Sequence, residues 1–136
     1  MLIDDGLELL DDAECARLLS EGEVGRVGIT VSGLPVILPV NYVFVDGAVI
    51  FRTGEGTKLH AASERAVIAF EVDGYDTRRH LGWSVLAIGR AETVDDPDDR
   101  VHLEHSGVAP WTAGPRDVYV RLSPEMLTGR RIVRLP

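Results

Sequence analysis

The amino-acid sequence predicts a mainly β fold, a closed or split antiparallel barrel of six to seven strands with a few short helices. Three observations lead to this prediction. Apolar and polar residues alternate over short segments, as they do in half-buried strands. Two-residue turns such as Asp46-Gly47 join neighbouring segments into hairpins. The connections between segments are too short for the crossover helices that parallel strands require.

The first part of the chain predicts one helix and three strands. Asp11 and Glu14 form a capping-box pattern at the start of the helix, and Gly22 is expected to end it. Pro39 lies inside the second strand, where it cannot donate to a ladder. It therefore predicts a bulge, a sheet edge or a bend at a barrel corner, and it leaves the backbone of Val40 and Asn41 open to a ligand as an alternative. The strands are predicted at 27–31, 36–45 and 48–53.

The rest of the chain predicts two helices and four strands. The sequence 57–63 is typical of a short helix. Asp96 followed by Pro97 predicts the start of the next helix, which Gly107 is expected to end. The strands are predicted at 66–72, 83–94, 117–122 and 129–134.

Length and composition indicate one globular domain that covers residues 1–136. The formal net charge of −8 disfavours binding to nucleic acid or to an anionic membrane. No apolar run approaches the roughly 18 residues of a membrane helix, and the start lacks a signal-peptide pattern. A single cysteine, Cys15, excludes an internal disulfide and is better interpreted as a packing residue. We therefore expect a cytoplasmic protein.

The segment 50–59 carries the clearest functional pattern. An apolar strand runs into Gly54-Glu55-Gly56, followed at once by Thr57 and Lys58 at the start of a helix. Glycines let backbone amides approach an anion, and Lys58 supplies charge, with Arg52 as a second cation. The pattern therefore fits a phosphate site, but an ordinary strand-to-helix turn with a solvated lysine fits it as well.

Several familiar sites are absent from the sequence. The glycine turn lacks the third glycine and the long helix of a dinucleotide fingerprint, and neither a Walker sequence nor a nucleophile elbow is present. One cysteine and four scattered histidines offer no zinc ligand set, so no metal is expected. No residue stands out as a catalytic acid, base or nucleophile.

Two further residues, Ser84 and Trp111, are open to two interpretations each. Trp83 and Ser84 begin a long apolar strand, where a serine hydroxyl needs a hydrogen-bond partner. Ser84 is then either a satisfied residue at the sheet rim or a ligand contact. Trp111 lies in a loop and is either part of the core or the wall of a pocket.

Five segments of the chain, residues 39–42, 51–58, 82–85, 89–91 and 127–132, together carry a resemblance to a known family. No single segment is diagnostic, but their order and spacing extend over nearly the whole chain. The chain resembles the pyridoxamine 5′-phosphate oxidase-like family of flavin-binding split β-barrels, and within it a short actinobacterial-type branch.

This resemblance implies a homodimer that binds two FMN molecules between its subunits and acts as a flavin-dependent oxidoreductase on a small molecule. It implies a phosphate grip by Arg52, Thr53, Gly56, Thr57 and Lys58. The backbone of Val40 and Asn41 is implied to lie along the flavin ring, with Trp83 and Ser84 close to the flavin and with Trp111 and Arg130 contributed by the partner subunit.

The chain also departs from the fuller oxidase. Its glycine turn offers essentially two cations, Arg52 and Lys58, and the sequence ends at Pro136, so oxidation of pyridoxamine phosphate is not expected. Relatives also use a deazaflavin coenzyme or haem. A non-catalytic flavin- or haem-binding carrier or sensor, and a deazaflavin-dependent reductase, are therefore the alternative functions.

Overall fold

The structure, a computed structural model, describes residues 6–54, 56–107 and 118–133. These residues form eight strands in one antiparallel sheet and three helices, which confirms the predicted mainly β class. The helices are α1 (Asp12–Glu21), α2 (Thr57–Ser63) and α3 (Pro97–Glu104). The strands are β1 (Leu7–Leu10), β2 (Val24–Val31), β3 (Leu34–Asn41), β4 (Val43–Val45), β5 (Ala48–Thr53), β6 (Val67–Asp76), β7 (Leu81–Thr93) and β8 (Val118–Ile132).

The sheet has the order β3-β2-β6-β7-β8-β5-β4, and β1 pairs with the far end of β8. β3 and β4 stand at the two ends of this order, yet Tyr42 alone separates them in sequence. The sheet must therefore curl until its two edges approach each other, as they do in a split barrel.

The strand count exceeds the predicted six to seven for two reasons. β1 was not predicted, and it pairs residue by residue with 129–132 of β8. The predicted strand 36–45 is interrupted at Tyr42, whose side chain turns into the core.

The two strands predicted at 117–122 and 129–134 are one continuous strand, β8. It can be continuous because β7 is long enough to pair along it from Trp83 to Thr93. A register shift between Ile88 and Gly89, opposite Pro124, accommodates the proline.

Two apolar clusters hold the fold together. The larger cluster fills the barrel and joins α1, through Cys15, Leu18 and Leu19, to the inward faces of the strands. The smaller cluster lies on the other face of β5 and packs α3 through Leu103. Cys15 is fully buried in the larger cluster, as its predicted packing role requires.

The predicted helix starts are confirmed. Asp11 accepts a hydrogen bond from the Glu14 amide at 2.8 Å, and Asp96 accepts from the amides of Asp98 and Asp99. Helix α1 ends before Gly22, which has extended backbone rather than the left-handed conformation of a glycine cap. In the described part of the chain, no helix combines the length and the apolar character needed to cross a bilayer.

Candidate functional site

The glycine turn, which we define as residues 52–54 and 56–58, joins the end of β5 to the start of α2. Gly56 has φ 134°, a conformation that strains residues with a side chain, and a Cβ built there would meet nothing within 4 Å. Within the described residues, no side chain caps the first turn of α2. The space beside Gly56 is therefore open among the described residues, and α2 begins without a side-chain cap. Both features suit an anionic group at the start of a helix.

Two cations of the glycine turn are half-buried, Arg52 at the end of β5 and Lys58 in the first turn of α2. The Arg52 guanidinium lies 5.2 Å from the centroid of the Tyr119 ring, and the Arg100 guanidinium lies 5.7 Å from the same centroid. Tyr119 is only 3% exposed, so its ring is a fixed support for both arginines.

Thr53 has a structural role in the turn. Its side chain is 2% exposed, and its hydroxyl donates to the Gly54 carbonyl at 3.3 Å. Thr57, by contrast, is exposed at the first position of α2. Of the two predicted threonines, Thr57 is thus the one placed to meet a ligand with its side chain.

Val40 and Asn41 lie at the end of β3, an edge strand of the sheet. The β2–β3 register runs unbroken through Pro39, so of the predicted alternatives the structure has the sheet edge and not a bulge. The β4–β5 register pairs Val43 with Ile50. Asn41 itself pairs with Val24 at the start of β2.

Trp83, Ser84 and Arg130 form a second group, and Ser84 pairs with Arg130 across the β7–β8 ladder. They line a cavity of about 360 Å³, which we call the Trp83 cavity. The indole lies close against Gly74, where an added Cβ would be 2.7 Å from Nε1. Thr53 of the glycine turn pairs with Val118 at the start of β8, whereas Arg130 of the Trp83 cavity lies near the end of β8. The glycine turn and the Trp83 cavity therefore lie at opposite ends of this strand.

Charged groups flank the Trp83 cavity. Asp73 lines it and forms an ion pair with Arg26 at 3.5 Å, and Arg26 also pairs with Glu71 at 3.2 Å. Burial and the neighbouring Asp73 raise the pKa of Glu71, against the opposite effect of Arg26. Arg26 thus holds the carboxylates of Glu71 and Asp73 beside the Trp83 cavity.

A cavity of about 430 Å³, which we call the α2 cavity, lies between the end of β2 and one side of α2. It shares Gly56 and Thr57 with the glycine turn. Sequence reasoning did not find it, because its walls come from segments about 30 positions apart along the chain.

Sequence reasoning also missed Arg100 and Tyr119. Arg100 lies on an acidic helix and Tyr119 on an ordinary strand, so neither carries a local signal. Tyr119 lies directly opposite Arg52 in the β5–β8 ladder. The packing of α3 on β5 then brings Arg100 to the same ring. Trp111 lies outside the described residues. In those residues, no group of three metal-ligating side chains is close enough to hold an ion.

The sequence profile of the pyridoxamine 5′-phosphate oxidase family matches residues 11–131. The chain belongs to this family.

Two mycobacterial proteins are similar in sequence, in line with the predicted short actinobacterial branch. The uncharacterized protein Rv0080 of Mycobacterium tuberculosis is 40% identical over 129 residues, which cover 91% of this chain and 84% of that protein. The FAD binding protein from Mycobacterium smegmatis is 37% identical, and its structure matches with a TM-score of 0.78 over 91% of this chain and 98% of its own.

A more distant structure shares the fold. The FAD and heme binding protein from Mycobacterium smegmatis matches with a TM-score of 0.75 over 96% of this chain and 75% of its own, at 16% identity. At that identity the likeness concerns architecture alone, and it confirms the predicted split barrel.

Proposed function

We propose that this protein binds a flavin at the glycine turn and uses it as an oxidoreductase acting on a small molecule. The observation that carries the proposal is the likeness, over 91% of the chain and at 37% identity, to a protein that binds FAD. The open glycine turn, with Arg52 and Lys58 half-buried beside it, supports the same conclusion.

The residues of the turn fit a flavin phosphate. Gly56 leaves open the space that a Cβ would narrow, and Thr57 is exposed at the start of α2. Lys58 and Arg52 supply the positive charge, and the Tyr119 ring holds Arg52 in place. A bound flavin would supply the hydride chemistry, while the chain binds the phosphate and orients the ring along Val40 and Asn41.

A second copy of the chain completes the site in this proposal. Trp83, Ser84 and Arg130 are at the other end of β8 from the glycine turn, so one copy cannot bring both groups to the same flavin. A homodimer in which the Trp83 cavity of one subunit faces the glycine turn of the other would do so. Trp111 of the partner subunit is proposed to approach the same flavin.

Lys58 gives a direct test, because it is the only lysine in the sequence. We expect bound FMN or FAD to protect the Lys58 amine from an amine-reactive reagent, as measured by mass spectrometry of the labelled peptide. The N-terminal amine reacts with the same reagent and serves as the internal control. Equal labelling of Lys58 with and without saturating flavin would place the phosphate elsewhere.

Lys58→Ala should weaken flavin binding at least about tenfold, since a charge-assisted hydrogen bond contributes about 1.5–3 kcal/mol. Riboflavin, which lacks the phosphate, should bind the variant and the parent equally. Fluorescence titration measures both affinities. Unchanged FMN and FAD affinity in the variant would contradict the assignment of Lys58.

Turnover separates an oxidoreductase from a carrier. The flavin-loaded protein is reduced with a nicotinamide donor and then mixed with an electron acceptor, and the flavin absorbance is followed. Repeated reduction and reoxidation supports an oxidoreductase. A flavin that is reduced once and not reoxidised by any acceptor supports a carrier or sensor.

A further inference from the structure

Helix α3 lies along β5, between the β4–β5 turn and the glycine turn. It packs on β5 in the smaller apolar cluster. At one end of β5, His102 of α3 contacts Asp46 at 3.3 Å between Nε2 and Oδ2. At the other end, Arg100 lies against Tyr119, the residue that pairs with Arg52. Arg100 therefore lies on the side of α3 that faces the glycine turn.

The Tyr119 ring holds two guanidinium groups close together. The central carbon atoms of Arg52 and Arg100 lie 5.2 Å and 5.7 Å from its centroid. The two charges are thus no farther apart than about a Debye length, roughly 10 Å at 0.1 M salt. Both side chains are half-buried, so solvent screens their mutual repulsion less than it would on an open surface. An anion bound beside Arg52 would offset this repulsion and would be attracted by both arginines.

The rest of the chain works against binding of an anion. The formal net charge is −8, and α3 carries Asp98 and Asp99 in its first turn. Arg121 contacts the Asp99 carboxylate at 3.7 Å and offsets part of this negative charge. A third cation beside Arg52 and Lys58 would therefore help to make the glycine turn locally positive.

Contacts other than Arg100 attach α3 to the sheet. Leu103 is 3% exposed in the smaller apolar cluster. Asp99 contacts Arg121 of β8, and His102 contacts Asp46 before β5. Because these contacts do not involve Arg100, replacing it should leave α3 in place, and its effect on binding can be measured apart from its effect on the fold.

We infer that Arg100 is a third cation of the flavin phosphate site, contributed by α3. The inference rests on the proposed function, since it takes the flavin phosphate to lie at the glycine turn. Arg52 and Lys58 provide the direct contacts in this arrangement, and Arg100 acts on the phosphate through its charge. Helix α3 thereby takes part in selecting phosphorylated flavins over riboflavin.

The test measures the affinity of the full-length protein for FMN, FAD and riboflavin by fluorescence titration. Arg100→Ala should weaken binding of FMN and FAD about threefold or more at low salt, because a poorly screened charge within roughly 10 Å has an effect of this order. The affinity for riboflavin, which lacks the phosphate, should not change. Arg100→Lys keeps the charge and should bind FMN and FAD within about twofold of the parent protein.

Arg121→Ala is the matched control. Arg121 is a half-buried arginine that also contacts α3, but it lies opposite Ile50, farther along β5 from the turn, and it contacts Glu92 at 3.4 Å. This variant should keep the parent affinity for all three flavins. Equal losses in Arg100→Ala and Arg121→Ala would show that both act through the docking of α3, and would overturn the inference.

Circular dichroism establishes that each variant is folded, and Arg100→Gln replaces Arg100→Ala if the latter is not. Unchanged FMN and FAD affinity in the folded variant overturns the role of Arg100. Lys58→Ala distinguishes this failure from that of the proposed function. If Lys58→Ala weakens FMN binding and Arg100→Ala does not, only the role of Arg100 fails, whereas a parent protein that binds no flavin contradicts both.

Discussion

At the scale of single residues, Tyr42 lies between β3 and β4 and is buried in the core. Its hydroxyl donates to the Leu19 carbonyl at 2.7 Å, and its ring packs edge-on against Phe70 at 4.6 Å between centroids. Burial raises the pKa of Tyr42 to about 12. Gly22 lies directly beside it, and a Cβ on Gly22 would come within 2.2 Å of the tyrosine oxygen. Gly22 thus leaves room for Tyr42, a reason that local sequence does not reveal.

Gly22→Ala should lower the free energy of unfolding by about 1–3 kcal/mol, because the added methyl group overpacks the site. Tyr42→Phe should cost about 1–3 kcal/mol through the unpaired Leu19 carbonyl. The double variant should lose less than the sum, since the phenylalanine lacks the oxygen that the methyl group meets. Urea unfolding measures the free energy of unfolding of the two single variants and of the double variant.

Gly28→Ala is the matched control, because the nearest atom to a Cβ at Gly28 is the Ala69 Cβ at 3.5 Å, an ordinary contact. It should change stability much less than Gly22→Ala. Additive losses in the double variant would show that Tyr42 is not the cause.

At the scale of elements, Glu14 connects α1 to the sheet. Its carboxylate accepts from Arg17 Nε at 2.9 Å within the helix and from Arg131 Nη2 on β8. Arg131 also pairs with Glu8 of β1 at 3.3 Å. The hydrogen bonds from Arg17 and Arg131 lower the pKa of Glu14 from its ordinary 4.5 to about 2.

Because the folded-state pKa of Glu14 is depressed, its contribution to stability is complete above about pH 4.5 and is lost as the pH falls towards 2. Glu14→Gln should therefore reduce the dependence of stability on pH in this window. Thermal unfolding at a series of pH values measures the slope. Glu21→Gln is the control, since Glu21 also pairs with Arg17, at 2.7 Å, but makes no contact with the sheet in any described ion pair. Identical slopes for Glu14→Gln and the parent protein would contradict this role.

Helices and hairpins were the elements that local sequence predicted best. These elements depend on residues that shape the backbone within a few positions of themselves, namely the caps Asp11 and Asp96 and the Asp46-Gly47 turn. Their effect can therefore be predicted without knowing the rest of the chain. β1 and the continuity of β8 were missed, because each depends on a partner strand that is distant in sequence.

At the scale of the whole molecule, the outward face of the sheet carries exposed apolar side chains. The registers place Ile37, Gly28, Ala69, Ile88 and Met126 in one row across five strands. Ile37 is 72% exposed and Met126 is 57% exposed. Exposing such a row to water is unfavourable, and in the proposed function a second copy of the chain covers it.

In the proposed homodimer, Met126→Glu should shift the protein towards monomer and weaken flavin binding in parallel, because it would withdraw the Trp83 cavity of the partner subunit from the flavin. Sedimentation velocity and fluorescence titration measure the two effects. Val101→Glu, an equally exposed apolar position on α3, is the control and should change neither. A parent protein that is monomeric with flavin bound would contradict the proposed homodimer.

The sequence by itself determined the mainly β class, the helix starts and the glycine turn from Arg52 to Lys58, because these features depend on neighbours within about one turn or one hairpin. The tertiary structure alone decided the rest of the candidate site. It brought Arg100 and Tyr119 to Arg52, set the Trp83 cavity at the far end of β8, and enclosed the α2 cavity. These arrangements arise from pairing and packing between residues far apart in the chain, which no local pattern encodes.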